Sequence, residues 1–179
     1  MSEEEQIGRI EKTGRDGVII LPIGHYALVN SKYKSSNVHI KISIYGLGSC
    51  IALILYDKNN KVGAMSHILL PKADTKKKIN YPHKYADLSV QLLKNELISH
   101  GAKIENIRAI IVGGSKIFDL DENIIGTNNI EVVKRELKKS DIKIVNEDLG
   151  GSSGRVIIFN THNYSVLVRS SGESEFKKL

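Results

Sequence analysis

The chain contains one cysteine, and it stands where a nucleophile could be used. Cys50 ends the segment Gly46-Leu47-Gly48-Ser49-Cys50 and is followed by an apolar run at residues 51–56. A second run, residues 62–70, comes after the polar stretch Asp57-Lys58-Asn59-Asn60-Lys61 and carries His67. A thiol and an imidazole on adjacent strands can do acyl-transfer chemistry, because the imidazole can take the thiol proton and leave the more nucleophilic thiolate. The same residues also fit a plainer role, with Cys50 a small buried hydrophobe and His67 a strand histidine with its bonds satisfied. Asp57 to Lys61 reads as a hairpin turn. Cys50 lies seven residues before Asp57 and His67 seven after Asn60, so a symmetric hairpin sets them at one level of the ladder.

The glycines before Cys50 are a weak signal for a phosphate loop, since a dinucleotide fingerprint needs a helix to follow and residues 51–56 are strand-like. A tight turn with amide N–H groups exposed beside the thiol is the better use of Gly48 and Ser49. Such donors stabilise an oxyanion. The six histidines, at 25, 39, 67, 83, 100 and 162, include no His-x-x-x-His pair, and no metal is expected. Gly113-Gly114 and Gly150-Gly151 each end a strand, as tight turns or as part of a cleft rim. Asp87 and Asp148 are candidates to orient a histidine.

The 179 residues fit one domain, and 41% hydrophobic with 26% charged residues is ordinary for a folded protein. A single cysteine excludes an intramolecular disulfide and a thiolate metal cage. No apolar run approaches the roughly 18 residues of a membrane span. The start, Met1-Ser2-Glu3-Glu4-Glu5, lacks the features of a secretory signal. A cytoplasmic protein, not embedded in a membrane, is expected. The net charge of +6 favours an acidic partner. With no tryptophan and three phenylalanines, the lysines at 72–78 and 134–139 do not form a base-stacking surface, and no nucleic-acid partner is expected.

Residues 1–16 read as a flexible N-terminal tail, 17–169 as the folded domain and 170–179 as a flexible C-terminal tail. Strands are expected at 18–21, 25–29, 38–45, 51–56, 62–70, 107–112, 142–145, 156–159 and 164–168. Helices are expected at 83–99, stopped by Gly101, and at 128–139. Many strands with two helices between them give an α/β protein with a mixed, largely antiparallel sheet.

These motifs together resemble the CheD family of chemoreceptor glutamine deamidases. Gly48-Ser49-Cys50 matches the family's cysteine element, and residues 63–71, with Ser66-His67 at their centre, match its histidine element. Lys84-Tyr85-Ala86-Asp87, the segment from Gly113 to Phe118, Ile125-Gly126-Thr127-Asn128-Asn129 and residues 148–155 follow in the family's order, over about residues 22–168. The resemblance implies a three-layer α-β-α sandwich and hydrolysis of receptor glutamine side chains to glutamate with release of ammonia. It implies no cofactor. The implied partners are the helical signalling domain of a chemoreceptor, as substrate, and a CheC-family phosphatase.

By the same resemblance Cys50 is the nucleophile and His67 its base. The family's third active-site residue is a threonine six positions before the cysteine, and here that position is Ile44. Isoleucine makes no hydrogen bond, and Ser43 beside it would face the other side of a strand. A backbone carbonyl or Ser66 must then orient His67. The alternative is a protein with reduced or no activity that regulates the phosphatase.

Overall fold

The computed structural model describes residues 17–30, 40–117 and 124–179. The N-terminal tail, the first two residues of the strand expected from Val38, and Phe118 lie outside the described residues. The described strands are β1 (Val18–Ile20), β2 (Tyr26–Asn30), β3 (Lys41–Leu47), β4 (Ile51–Asp57), β5 (Val62–Ile68), β6 (Arg108–Gly113), β7 (Lys143–Leu149), β8 (Arg155–Asn160), β9 (Val166–Ser170) and β10 (Lys177–Lys178). The described helices of more than one turn are α1 (Ala86–Ser99) and α2 (Ile124–Lys139).

The strands form two five-stranded sheets, ordered β1-β3-β8-β9-β10 and β2-β5-β4-β6-β7. Each is mixed and mostly antiparallel, with one parallel pair, β1 with β3 and β6 with β7. The second sheet is the middle layer of three. Along β4, Ala52, Ile54 and Tyr56 join Ile42, Ile44, Ile157 and Phe159 in the core between the sheets. The alternate residues Ile51, Leu53 and Leu55 join Val90, Leu93, Val133 and Leu137 beneath the helices. Covered on both faces, β4 and β5 are buried along their whole length, which is why their sequences run apolar without alternating. The structure is α/β as expected, with helices over one face of the middle sheet. Over the other face, among the described residues, lies the β1-β3-β8-β9-β10 sheet.

Three boundaries differ from the sequence reading. The segment expected to begin a helix at residue 83 opens as a 3-10 turn, Pro82–Lys84, and Tyr85 is extended. Tyr85 is held that way because it bridges Leu70, while the Leu69 and Leu70 N–H groups both donate to Lys84. Helix α2 begins at Ile124 rather than Asn128, and includes Gly126. A Cβ at Gly126 would lie 2.7 Å from the Gly114 carbonyl, so this glycine permits close packing inside a helix and does not break it. Residues 170–179, expected as a loose tail, add β10 to the edge of β9, and the Leu179 N–H donates to Val166 at 2.9 Å. The polar composition of this segment hid a strand held mainly by backbone bonds.

Candidate active site

Two of the chain's crossings from one sheet to the other, both at the same end of the sandwich, carry the site. The first crossing runs from Leu21, just past β1, to β2. The second, Gly48-Ser49-Cys50, runs from β3 to β4. A bulge precedes it, because Ile44 stands opposite Ile157 but Leu47 opposite Arg155, one residue out of step. Gly46, at φ 70°, supplies the left-handed turn that the extra residue needs.

Cys50 and His67 share one face of the middle sheet. Ala52 pairs with His67, and Cys50, two residues before Ala52, lies on the same side. Continuing the ladder past Ile51 and Ile68 sets Cys50 opposite Leu69. The pair is therefore diagonal, offset by two residues from the single level expected of a symmetric hairpin. The turn is longer than that count assumed, since a level pair would set Asp57 opposite Asn60, whereas Asp57 pairs with Val62. A slip of two keeps both side chains on one face, whereas a slip of one would have separated them.

Segment 21–25 wraps His67 on three sides. The Gly24 N–H donates to the His67 carbonyl at 2.8 Å, the His67 N–H to the His25 carbonyl at 3.0 Å, and imidazole Nδ1 bonds the Leu21 carbonyl at 3.1 Å. A carbonyl only accepts, so Nδ1 carries the proton and Nε2 is left as the basic nitrogen. Orientation of His67 thus comes from a backbone carbonyl. Ser66 lies on the opposite face, where its hydroxyl accepts from Ser89 of α1 at 2.9 Å and Ser89 in turn contacts His83 Nδ1 at 3.2 Å. This excludes Ser66 as the orienting group. Neither acidic candidate orients a histidine: Asp87 accepts from the Ala73 N–H, and Asp148 binds Arg155 and Lys177.

Both groups are nearly closed off, Cys50 at 8% and His67 at 6% exposure. Burial pushes the thiol up to about 11, against the pull of its own backbone N–H. Burial also lowers His67 below its usual 6.5, a shift that the Leu21 bond opposes and nearby His25 reinforces. At neutral pH the pair is therefore a thiol beside a neutral imidazole. This arrangement suits proton transfer during attack and does not hold a standing thiolate.

The Gly48-Ser49-Cys50 crossing is held by its carbonyls. Gly48 accepts from the Ser115 N–H, Ser49 from Asn129 Nδ2 and Cys50 from the Gly114 N–H, each at 2.9 Å. A Cβ at Gly113, where φ is 118°, would lie 2.2 Å from the Cys50 carbonyl, so the glycine pair is needed for this close approach. With the carbonyls committed to the scaffold, the amide N–H groups of Gly48, Ser49 and Cys50 donate to no loop or turn carbonyl among the described residues. Ser115 is itself fixed. Its hydroxyl sits between the carbonyls of Gly150 and Ser153 and accepts from Arg155.

Ile44, at the family's threonine position, is 1% exposed and lies in the core that also contains Cys50. Ser43 points to the opposite face of β3, as the alternation requires. Sequence reasoning anticipated a backbone carbonyl but not that it is Leu21's, which no side-chain pattern could reveal, and it missed the roles of Ser115 and Asn129. Asn129 left a signal in Ile125-Gly126-Thr127-Asn128-Asn129, where a buried amide follows a glycine in a helix.

A family model described as CheD chemotactic sensory transduction matches residues 69–170. The chain is 40% identical over 156 residues to the chemoreceptor glutamine deamidase CheD of Thermotoga maritima, covering 87% of this chain and 94% of that protein. It is 40% identical over 136 residues to a probable chemoreceptor glutamine deamidase CheD of Clostridium acetobutylicum, covering 74% of this chain and 82% of that one. Among solved structures, the Bacillus licheniformis hypothetical protein YfiH overlaps with a TM-score of 0.43 at 11% identity, over 79% of this chain and 65% of that one; a likeness this loose carries no argument.

Proposed function

The chain belongs to the CheD family, and from that premise we propose that it is a protein-glutamine glutaminase that deamidates chemoreceptor glutamines through a Cys50–His67 thioester mechanism. The observation that carries this reading is the shared face of Cys50 and His67, with Nδ1 committed to Leu21 and Nε2 left as base.

In the proposed first step, His67 Nε2 takes the Cys50 proton as sulfur attacks the glutamine side-chain carbonyl. The carbonyl oxygen becomes an oxyanion facing the N–H groups of residues 48–50. The imidazolium then returns the proton to the amide nitrogen, which leaves as ammonia, and a thioester remains. In the second step His67 takes a proton from water, the resulting hydroxide attacks the thioester, and glutamate leaves as the thiol is restored. Every proton passes through one imidazole, so neither cofactor nor metal has a role in the cycle.

The substrate is a glutamine on the face of a receptor helix. Lysines 72, 76, 77 and 78 are exposed and would speed its approach if that helix is acidic. Regulatory contact with a CheC-type phosphatase is part of the proposal. Ile44 favours a second reading, in which the protein regulates that phosphatase with little turnover of its own.

The test is turnover of a purified receptor signalling domain, read as ammonia released and as a gain of about one dalton per modified site. Cys50→Ala should abolish it, and His67→Ala should lower it by roughly 10²–10⁴-fold. Undiminished turnover in Cys50→Ala sinks the covalent mechanism. No turnover by the wild type on several cognate receptors favours the regulator.

A further inference from the structure

We propose that Asn129 is a positioning residue for this site, fixing Cys50 against His67 by tying together the two strands that carry them. The proposal rests on the Cys50–His67 reading above and adds a residue to it.

The ladder between β4 and β5 ends at Ile51 and Ile68. One step further, where Cys50 and Leu69 would be the next rung, the strands are joined through a side chain. Asn129 Nδ2 donates to the Ser49 carbonyl at 2.9 Å and to the Leu69 carbonyl at 3.0 Å. Ser49 is the residue before the nucleophile, and Leu69 lies two residues after the base. Both amide hydrogens are used, one on each side of the site.

Asn129 is 0% exposed, and its Oδ1 is buried without a hydrogen-bond partner among the described residues. An orphaned acceptor is costly. On the same face of α2 the next buried residues are Val132, Val133 and Leu137, so an aliphatic group would satisfy a packing role without that cost. What an aliphatic group cannot do is donate two bonds to carbonyls on separate strands. The helix is brought close enough by glycine: Gly126 packs on the Gly114 carbonyl, and the Gly114 N–H holds the Cys50 carbonyl. Asn129 and Gly114 thus fix adjacent peptide groups, on either side of the Cys50 Cα.

The experiment compares the full-length wild type with Asn129→Ala and Asn129→Ser. It measures kcat and KM for receptor deamidation, the pH profile of Cys50 alkylation by iodoacetamide, and thermal stability. A misplacement of about 1 Å costs roughly 10²-fold in rate, so kcat should fall by about that factor in the alanine variant while KM stays close to wild type. The alkylation profile should lose the His67-dependent limb and rise only toward the thiol's own ionisation. The serine variant, with one donor left, should lie between. Should the alanine variant fail to fold, the serine variant carries the same comparison. Unchanged kcat and unchanged alkylation overturn the proposal, even if the melting temperature drops. Altered alkylation in a protein that turns over no receptor supports the positioning role and counts against the deamidase reading alone.

Discussion

His67 gives its Nδ1 proton to the carbonyl of Leu21, 3.1 Å away and 46 residues earlier in the chain. The bond holds the imidazole in the tautomer that a general base needs, and it does so without a side chain. A carboxylate in that place would add negative charge and favour the imidazolium. A backbone carbonyl favours it less, so burial dominates and His67 stays below its usual 6.5.

The pH dependence follows from that balance. His67 must be neutral to accept the Cys50 proton, so kcat/KM should rise with pH through a value below 6.5. Activity should then stay level through neutral pH, because burial holds the thiol up to about 11. A preformed thiolate–imidazolium pair behaves differently, losing rate as His67 gives up its proton. Measured kcat/KM between pH 5 and 9 separates the two. A fall between pH 7 and 9 contradicts the neutral-pair mechanism.

Ile44→Thr tests whether the missing threonine matters. Because the Leu21 carbonyl already orients His67, a hydroxyl at residue 44 adds no necessary bond. It would enter the sheet-to-sheet core, where Ile44 is 1% exposed. The expected outcome is a stability loss of about 1–3 kcal/mol in chemical denaturation with turnover changed by only a few-fold. A gain of about 10-fold or more, worth roughly 1.4 kcal/mol in the barrier, would show that Ile44 does weaken the site.

The legible part of the site was the part made of side chains on strands. The two apolar runs flanking residues 57–61 identified the hairpin, and the two-residue period kept Cys50 and His67 on one face even though their register was misjudged by two. The Leu21 carbonyl was not legible, because every residue carries one and only the tertiary path selects it. Asn129 fell inside the helix expected at 128–139, but nothing local in the sequence says that its amide reaches two separate strands. The outer sheet was not foreseen as a separate layer, because β1, β3, β8 and β9 look like members of one sheet with the other strands. Nothing local in the sequence says which strands pair with which.

The buried chain of His83, Ser89 and Ser66 makes stability fall in acid. His83 is 3% exposed, stacked on Tyr26 with ring centroids 4.2 Å apart, and burial, with His25 nearby, lowers it from 6.5 to about 3. Since the unfolded chain takes up this proton first, the stabilising contribution is complete above pH 6.5 and is lost as pH falls toward about 3. By pH 4.5 roughly 2–3 kcal/mol should be gone. His83→Phe keeps the stacking and removes the titration, so its denaturation midpoint should fall less between pH 6.5 and 4.5. Equal falls in both proteins would show that His83 is not the group responsible.

The ion pair behind the Gly48-Ser49-Cys50 loop should matter more than its distance from Cys50 suggests. Arg155 and Asp148 meet at 2.8 Å with side chains 8% and 12% exposed, and Arg155 also donates to Ser115, whose N–H holds the Gly48 carbonyl. Burial works against the Asp148 carboxylate, but Lys177 and Arg155 outweigh it and hold the carboxyl below its usual range. Removing Asp148 leaves the guanidinium buried without a counter-charge, so Asp148→Ala should cost about 3–5 kcal/mol in chemical denaturation. Lys177 also reaches Asp148 at 2.8 Å but is 55% exposed, and Lys177→Ala should cost under about 1 kcal/mol. The double variant Asp148→Ala/Arg155→Met should recover part of the stability, because no unpaired charge then remains inside. Its turnover should stay low, since Ser115 would still lack the donor that fixes it. Full recovery of turnover would show that the pair supports the fold but not the loop that presents Cys50.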